Sequence, residues 1–198
     1  MSDVPDWLAG LAVAAQAFMV PTSSRPPVSG GRQSAVLVLF GEGPAGPDLL
    51  FIQRSAGLRR HAGQPAFPGG ALEEDELADL VGGPVAAALR EAGEEVGLAP
   101  ALIEPLGYLD LYLTFSGFRI LPTVARVQPD FKLMLNPREV TETFEVPLDF
   151  LMTPENHQRR SREWKGIERE YYAVPFGDRY IWGITAGIVR NLYDRIYG

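Results

Sequence analysis

The chain predicts an α+β domain. Three observations predict it: several strand-like runs end at Gly/Pro-rich turns, two longer segments carry helical periodicity among them, and 198 residues suffice for one domain with a substantial core. In chain order, residues 7–19 read as a short apolar helix, and residues 21–31 as a Pro/Ser/Gly linker. Residues 1–32 are therefore set apart as an N-terminal arm, and 33–198 as the domain proper. Residues 34–40 and 49–53 are strand-like and flank the turn-rich Gly41-Glu42-Gly43-Pro44-Ala45-Gly46-Pro47, so together they predict a hairpin. Residues 84–96 predict a helix, because Pro84 suits a first helical position and Gly97 suits a C-cap. Strands follow at 103–111, 119–127 and 143–146, then a polar hairpin at 160–174. An amphipathic helix at 182–197 ends the sequence. No internal repeat or low-complexity segment interrupts this order.

Composition narrows the class. The chain is 46% hydrophobic and 22% charged, which fits neither disorder nor a membrane protein. No apolar run approaches the roughly 20 residues of a bilayer-spanning helix. Asp3 and Asp6 precede the apolar residues 8–20, where a signal peptide would carry positive charge, so an intracellular, cytoplasmic protein is expected. With no cysteine, disulfides, thiolate metal sites and thiol nucleophiles are excluded. A net charge of −7 argues against nucleic acid as a bulk partner. A small anionic substrate needs only a local basic pocket. The apolar face of residues 7–19 must be buried somewhere, and a homodimer contact is one way to do so.

The most informative stretch is Arg90-Glu91-Ala92-Gly93-Glu94-Glu95-Val96-Gly97-Leu98. On a helix, positions three and four apart are neighbours, so Glu91, Glu94 and Glu95 can converge while Ala88, Leu89, Ala92 and Val96 face a core. Clustered carboxylates repel unless a cation neutralises them, and hard oxygen donors suit Mg2+ or Mn2+ better than zinc. The plainer reading is a solvated helix face on which Arg90 and Glu94 form an i,i+4 pair. Just upstream, Arg54, Arg59, Arg60 and His61 supply positive or protonatable groups, and arginine suits forked contacts with phosphate.

The flanking residues decide between these readings. Phe67-Pro68-Gly69-Gly70 lies upstream, followed by Glu73 and Glu76. With the helix, this resembles the Nudix box: a glycine, five residues, a glutamate, seven residues, then R-E-U-x-E-E-x-G-U with U a bulky aliphatic. Gly70 and Glu76 match the first half, and Arg90, Glu91, Glu94, Glu95, Gly97 and Leu98 the second. Two features depart from the pattern. Thirteen residues, 77–89, stand where the family has seven, and Ala92 replaces a larger aliphatic. The extra length falls in residues 77–83 and is read as a longer loop before an intact catalytic helix, which leaves the placement of Glu76 open.

A narrower resemblance covers Arg54-Ser55, Arg59, Gly63 and Phe67-Pro68-Gly69-Gly70, each separated from the next by three residues. This is similar to the signature of the coenzyme A pyrophosphatase branch of the Nudix hydrolases. Ile52 stands where that branch tends to carry threonine. Phe115-Ser116-Gly117-Phe118, Asn136-Pro137-Arg138-Glu139-Val140, Phe144-Glu145-Val146-Pro147-Leu148 and Ile181-Trp182-Gly183-Ile184-Thr185 also resemble it. The resemblance extends over roughly residues 33–196.

It implies an α/β/α sandwich with a mixed central sheet. It also implies Mg2+- or Mn2+-dependent hydrolysis of coenzyme A or its thioesters at the pyrophosphate. In that frame Glu91, Glu94 and Glu95 are the expected metal ligands, with the Gly70 carbonyl as a further one. Arg90 is expected to orient Glu94 or Glu76. Arg54, Arg59, His61 and Gln64 are the expected substrate contacts. Among Glu139, Glu142 and Glu145, Glu142 is the preferred general base, although alternation also allows it to be the exposed side of a strand. His157 is expected at the surface, and Trp182 and Tyr193 in packing roles. Two other readings stay open: a Nudix enzyme acting on ADP-ribose, a dinucleotide or a nucleoside triphosphate, and a non-catalytic Nudix-fold binding module.

Overall fold

The computed structural model describes residues 31–44, 46–79, 82–129, 131–164 and 166–197. The expected helix at 7–19, and with it the expected homodimer contact, lies outside them. So does the linker up to residue 30.

The hairpin forms as expected, with longer arms. β1 (Arg32–Gly43) pairs antiparallel with β2 (Gly46–Arg54). β1 also pairs in parallel with β7 (Phe118–Val127), so the sheet is mixed. Around this pair lie β3 (Pro65–Ala66) and β8 (Val140–Pro147) on β2, and β4 (Gly69–Ala71) on β1. β5 (Ile103–Tyr108) and β6 (Tyr112–Leu113) lie on β7. A second, antiparallel sheet comprises β9 (Gln158–Trp164), β10 (Ile167–Phe176) and β11 (Arg179–Trp182).

Alternation along β1 explains the layers. Ala35, Leu37 and Leu39 face one side with Leu50 and Ile52, and Ala87, Ala88, Ala92 and Val96 of helix α2 (Gly83–Val96) cover them. Val38 and Phe40 face the other side with Leu49 and Phe51. There Ile188, Val189 and Leu192 of helix α4 (Ile184–Tyr197) join the same core. The alanines of α2 let that helix lie close to the sheet. The result is the expected α/β/α sandwich.

Several boundaries differ from expectation. The residues expected as a plain loop are partly helical: α1 (Glu74–Ala78) is nucleated by Glu76, whose Oε2 accepts the Glu73 N–H at 2.7 Å. α4 starts at Ile184 rather than 182, because Gly183 takes φ +63 and Trp182 belongs to β11. β5 ends at Tyr108, short of residue 111. A further short helix, α3 (Leu148–Leu151), follows β8.

Two contacts at the end of α2 position the site. Gly97 adopts the left-handed conformation (φ 71, ψ 18), and its N–H donates back into the helix at the Gly93 carbonyl. The carbonyls of Val96 and Glu95, which the helix itself cannot satisfy, accept the N–H groups of Met134 (2.8 Å) and Asn136 (3.0 Å). The segment leading into β8 is thereby fixed against the helix terminus.

Candidate active site

Glu95 is the most buried of the three helical carboxylates, at 1% exposure. Its Oε2 accepts the Gly69 N–H at 3.0 Å and its Oε1 accepts from the Arg54 guanidinium at 3.3 Å. Burial pushes its carboxyl up to about 7, and the charges of Glu91 and Glu139 push the same way. The Gly69 N–H and Arg54 oppose them. Glu91, one turn earlier, is likewise raised, chiefly by burial. Glu94 stands apart at 55% exposure and accepts from Arg90 at 3.2 Å.

Arg90 ties the cluster together. Its Nε donates to Glu76 Oε1 at 3.0 Å, and one terminal nitrogen donates to Glu91 (3.0 Å) and Glu94 (3.2 Å). The other donates to the Ala71 carbonyl at 3.1 Å and to Glu76 Oε2 at 3.3 Å. These contacts raise its own pKa, the hydrogen bonding to Glu76 most of all. The placement left open in the sequence is thus resolved. α1 carries Glu76 back to Arg90, and at 7% exposure Glu76 is a buried structural partner. Gly83 makes this return possible, since a Cβ there would overlap the Glu76 carbonyl oxygen.

The donor set fits a hard divalent cation. Two carboxylates, the buried Glu95 and the partly buried Glu91, have raised affinity for protons, and both meet the Gly69-Gly70 turn. A Cβ on Gly70 would overlap the Glu91 carboxylate, so this position has room for hydrogen only. Among the described residues, no three acidic, His or Cys side chains form a ready ligand cluster. Carboxylates that repel each other in the free protein need a cation to be drawn together.

From the glycine turn a cleft of about 650 Å³ opens. Arg54, His61 and Gln64 line it, together with Gly69 and Gly70. Arg60 also lines it, whereas Arg59, expected as a substrate contact, is exposed and off the lining. The segment from Arg54 to Gln64 closes on itself: the Arg54 N–H donates to the Gln64 carbonyl and the Gly63 N–H to the Arg54 carbonyl, both at 3.1 Å. His61, at φ 53, sits within hydrogen-bond distance of Gln64 Oε1, 3.2 Å from Nδ1.

Glu142 is not brought to this cluster. Arg179 grips its carboxylate through two nitrogens, at 2.5 and 2.9 Å, and these hydrogen bonds lower its pKa. Glu139, not Glu142, is the carboxylate of this region whose charge reaches Glu91 and Glu95. Its Oε1 accepts from the Asn136 amide at 3.2 Å. Glu145 is exposed on β8. His157, expected at the surface, is half-buried, with Nε2 2.6 Å from the Leu151 carbonyl oxygen.

The β6–β7 hairpin and the second sheet also line the cleft, through Phe115, Arg162, Arg169, Tyr171 and Trp182. Trp182 packs edge-to-face against Tyr171, as a packing role predicts, and also lines the cleft. Phe115 and Trp182 fall in stretches that resemble the family branch, whereas nothing local in the sequence marks Arg162, Arg169 and Tyr171, which only the pairing within the second sheet carries to the cleft.

This sandwich, with its acidic helix behind a glycine turn, belongs to the Nudix class. The Nudix domain family matches residues 31–169, and the chain belongs to that family. Its relatives include the uncharacterized Nudix hydrolase NudL of Shigella flexneri serotype 5b, 36% identical over 172 residues, covering 87% of this chain and 86% of the relative. NudL of Klebsiella pneumoniae is 38% identical over 161 residues, 81% of each chain. Among solved structures, DR0079 of Deinococcus radiodurans superposes with a TM-score of 0.53 at 15% identity, covering 86% of this chain and 89% of that one. A MutT/nudix family protein of Enterococcus faecalis gives 0.52 at 15% identity, covering 99% of this chain and 75% of that one. These two support the fold. No helix among the described residues is long and apolar enough to cross a membrane.

Proposed function

We propose that this Nudix protein hydrolyses the pyrophosphate bond of coenzyme A and its thioesters, releasing adenosine 3′,5′-bisphosphate and 4′-phosphopantetheine or its acylated form. One observation carries the chemistry: a buried carboxylate, Glu95, sits between the Gly69 N–H and Arg54, two residues that line a cleft holding several arginines. The substrate assignment is supported by the residues from Arg54 to Gly70. Their spacing resembles the coenzyme A pyrophosphatase signature, and of the residues that carry it Arg54, Phe67, Gly69 and Gly70 line the cleft.

Glu91 and Glu95, with Glu94 and the Gly70 carbonyl, would hold Mg2+ or Mn2+, which when bound screens phosphate charge and acidifies water. The remaining work falls to the chain itself. Arg54 presents its guanidinium to the cleft, where it can hold a phosphoryl oxygen while its other contact stays on Glu95. Arg90 orients Glu91 and Glu94 while pinned to Glu76. Glu139 is the proposed general base in place of Glu142. With Oε1 held by Asn136, Oε2 takes a proton from the attacking water as the water oxygen bonds to one phosphorus and the phosphoanhydride P–O bond breaks, the other phosphate leaving as its anion.

Competition between coenzyme A and ADP-ribose, with products resolved by chromatography, tests the substrate. Coenzyme A is expected to be consumed first, and a preference for ADP-ribose would overturn the assignment in favour of another nucleoside diphosphate derivative.

A further inference from the structure

The part of the cleft lined by the β6–β7 hairpin and the second sheet has a composition that the pyrophosphate chemistry does not use. Arg162 on β9 and Arg169 on β10 are directly opposed register partners, and both line the cleft. Like charges directly opposed across a strand pair destabilise a sheet. Arg169 lies 4.1 Å from the centre of the Phe115 ring, which fixes it beside the β6–β7 hairpin. Arg162 makes no ion pair among the described residues. Glu170, the sole acidic residue on the described lining, is engaged by Arg159 at 2.5 Å.

Two residues along β10, on the same face, Tyr171 packs edge-to-face with Trp182, centroids 5.6 Å apart, and both also line the cleft. Two guanidinium groups suit a phosphomonoester dianion, and an adjacent aromatic pair offers a surface for a flat base.

We infer that Arg162, Arg169, Tyr171 and Trp182 form a subsite for a nucleobase carrying a phosphomonoester beyond the scissile pyrophosphate. This rests on the coenzyme A reading for the identity of that group, the 3′-phosphate of the adenosine. Arg162 is then a specificity-determining residue that separates 3′-phosphorylated from plain adenosine ligands.

Calorimetric binding of adenosine 3′,5′-bisphosphate and adenosine 5′-monophosphate to the full chain in Mg2+ tests this without turnover. The bisphosphate is expected to bind at least about tenfold tighter, the size of a charge-assisted contact. Arg162→Gln should reduce that ratio to about threefold or less. Tyr171→Leu should weaken both ligands while keeping the ratio. Equal affinities in the wild-type chain would overturn the inference whatever the variants do, as would an unchanged ratio in a folded Arg162→Gln protein. Loss of the coenzyme A reading would look different: the binding ratio would stand while coenzyme A itself went uncleaved.

Discussion

Glu95 concentrates the cost of building this site. Its carboxyl is raised from an ordinary 4.5 to about 7 in the folded protein. The folded state therefore keeps a proton that the unfolded state releases, and metal-free stability falls as pH rises from about 4.5 through about 7. The whole shift corresponds to about 3 kcal/mol. Denaturant melts of metal-free protein should show this decline for wild type and a flatter profile for Glu95→Gln; parallel profiles would contradict the burial argument. Arg90→Ala should destabilise by about 2–3 kcal/mol by leaving Glu76 buried beside a lost cation. Adding Glu76→Gln should restore part of the melting temperature, and no recovery would mean that Arg90 acts elsewhere. If Glu139 is the base, Glu139→Gln should lower kcat by at least about a hundredfold, whereas Glu142→Gln should stay within about threefold. The reverse ranking in steady-state kinetics would reinstate Glu142. Its pairing with Arg179 could not be read from the sequence, because the two residues meet only through the fold.

At the scale of elements, legibility followed the length of the periodic signal. α2, bounded by Pro84 and Gly97, was readable almost to the residue. β1, β2 and β7 were found with short ends, since strands run on past their apolar cores. β3, β4, β6 and β11 span two to four residues each and have no periodicity to detect. α1 was missed because residues 77–83 read as loop, although Glu73 and Glu76 stood at capping-box spacing. Gly97 shows how an element boundary reaches the chemistry. A Cβ there would come within 2.8 Å of Met134 Cβ and its carbonyl oxygen, in a backbone conformation that favours glycine. Gly97→Ala should cost about 1–2 kcal/mol in thermal melts and also lower activity, by loosening the segment that carries Glu139. A destabilised variant with unchanged kcat would uncouple the two.

At the scale of the whole molecule, two sheets share one cleft. The mixed sheet supplies the glycine turn and the backing for α2, and this half was legible because the box residues lie close together in sequence. The second sheet supplies basic and aromatic lining, of which only the stretch around Trp182 was legible, because Arg162, Arg169 and Tyr171 are ordinary in sequence and gain meaning only through register. The account's central claim is that these walls enclose a coenzyme A pyrophosphate beside a carboxylate-bound cation. Chromatographic detection of adenosine 3′,5′-bisphosphate from coenzyme A, with and without Mg2+ or Mn2+, in wild type and Glu95→Gln, tests it most directly. Metal-dependent release by the wild type, reduced at least about a hundredfold in Glu95→Gln, is the predicted result. Release without added metal, or at undiminished rate in the variant, would contradict it, as would intact coenzyme A beside cleaved ADP-ribose.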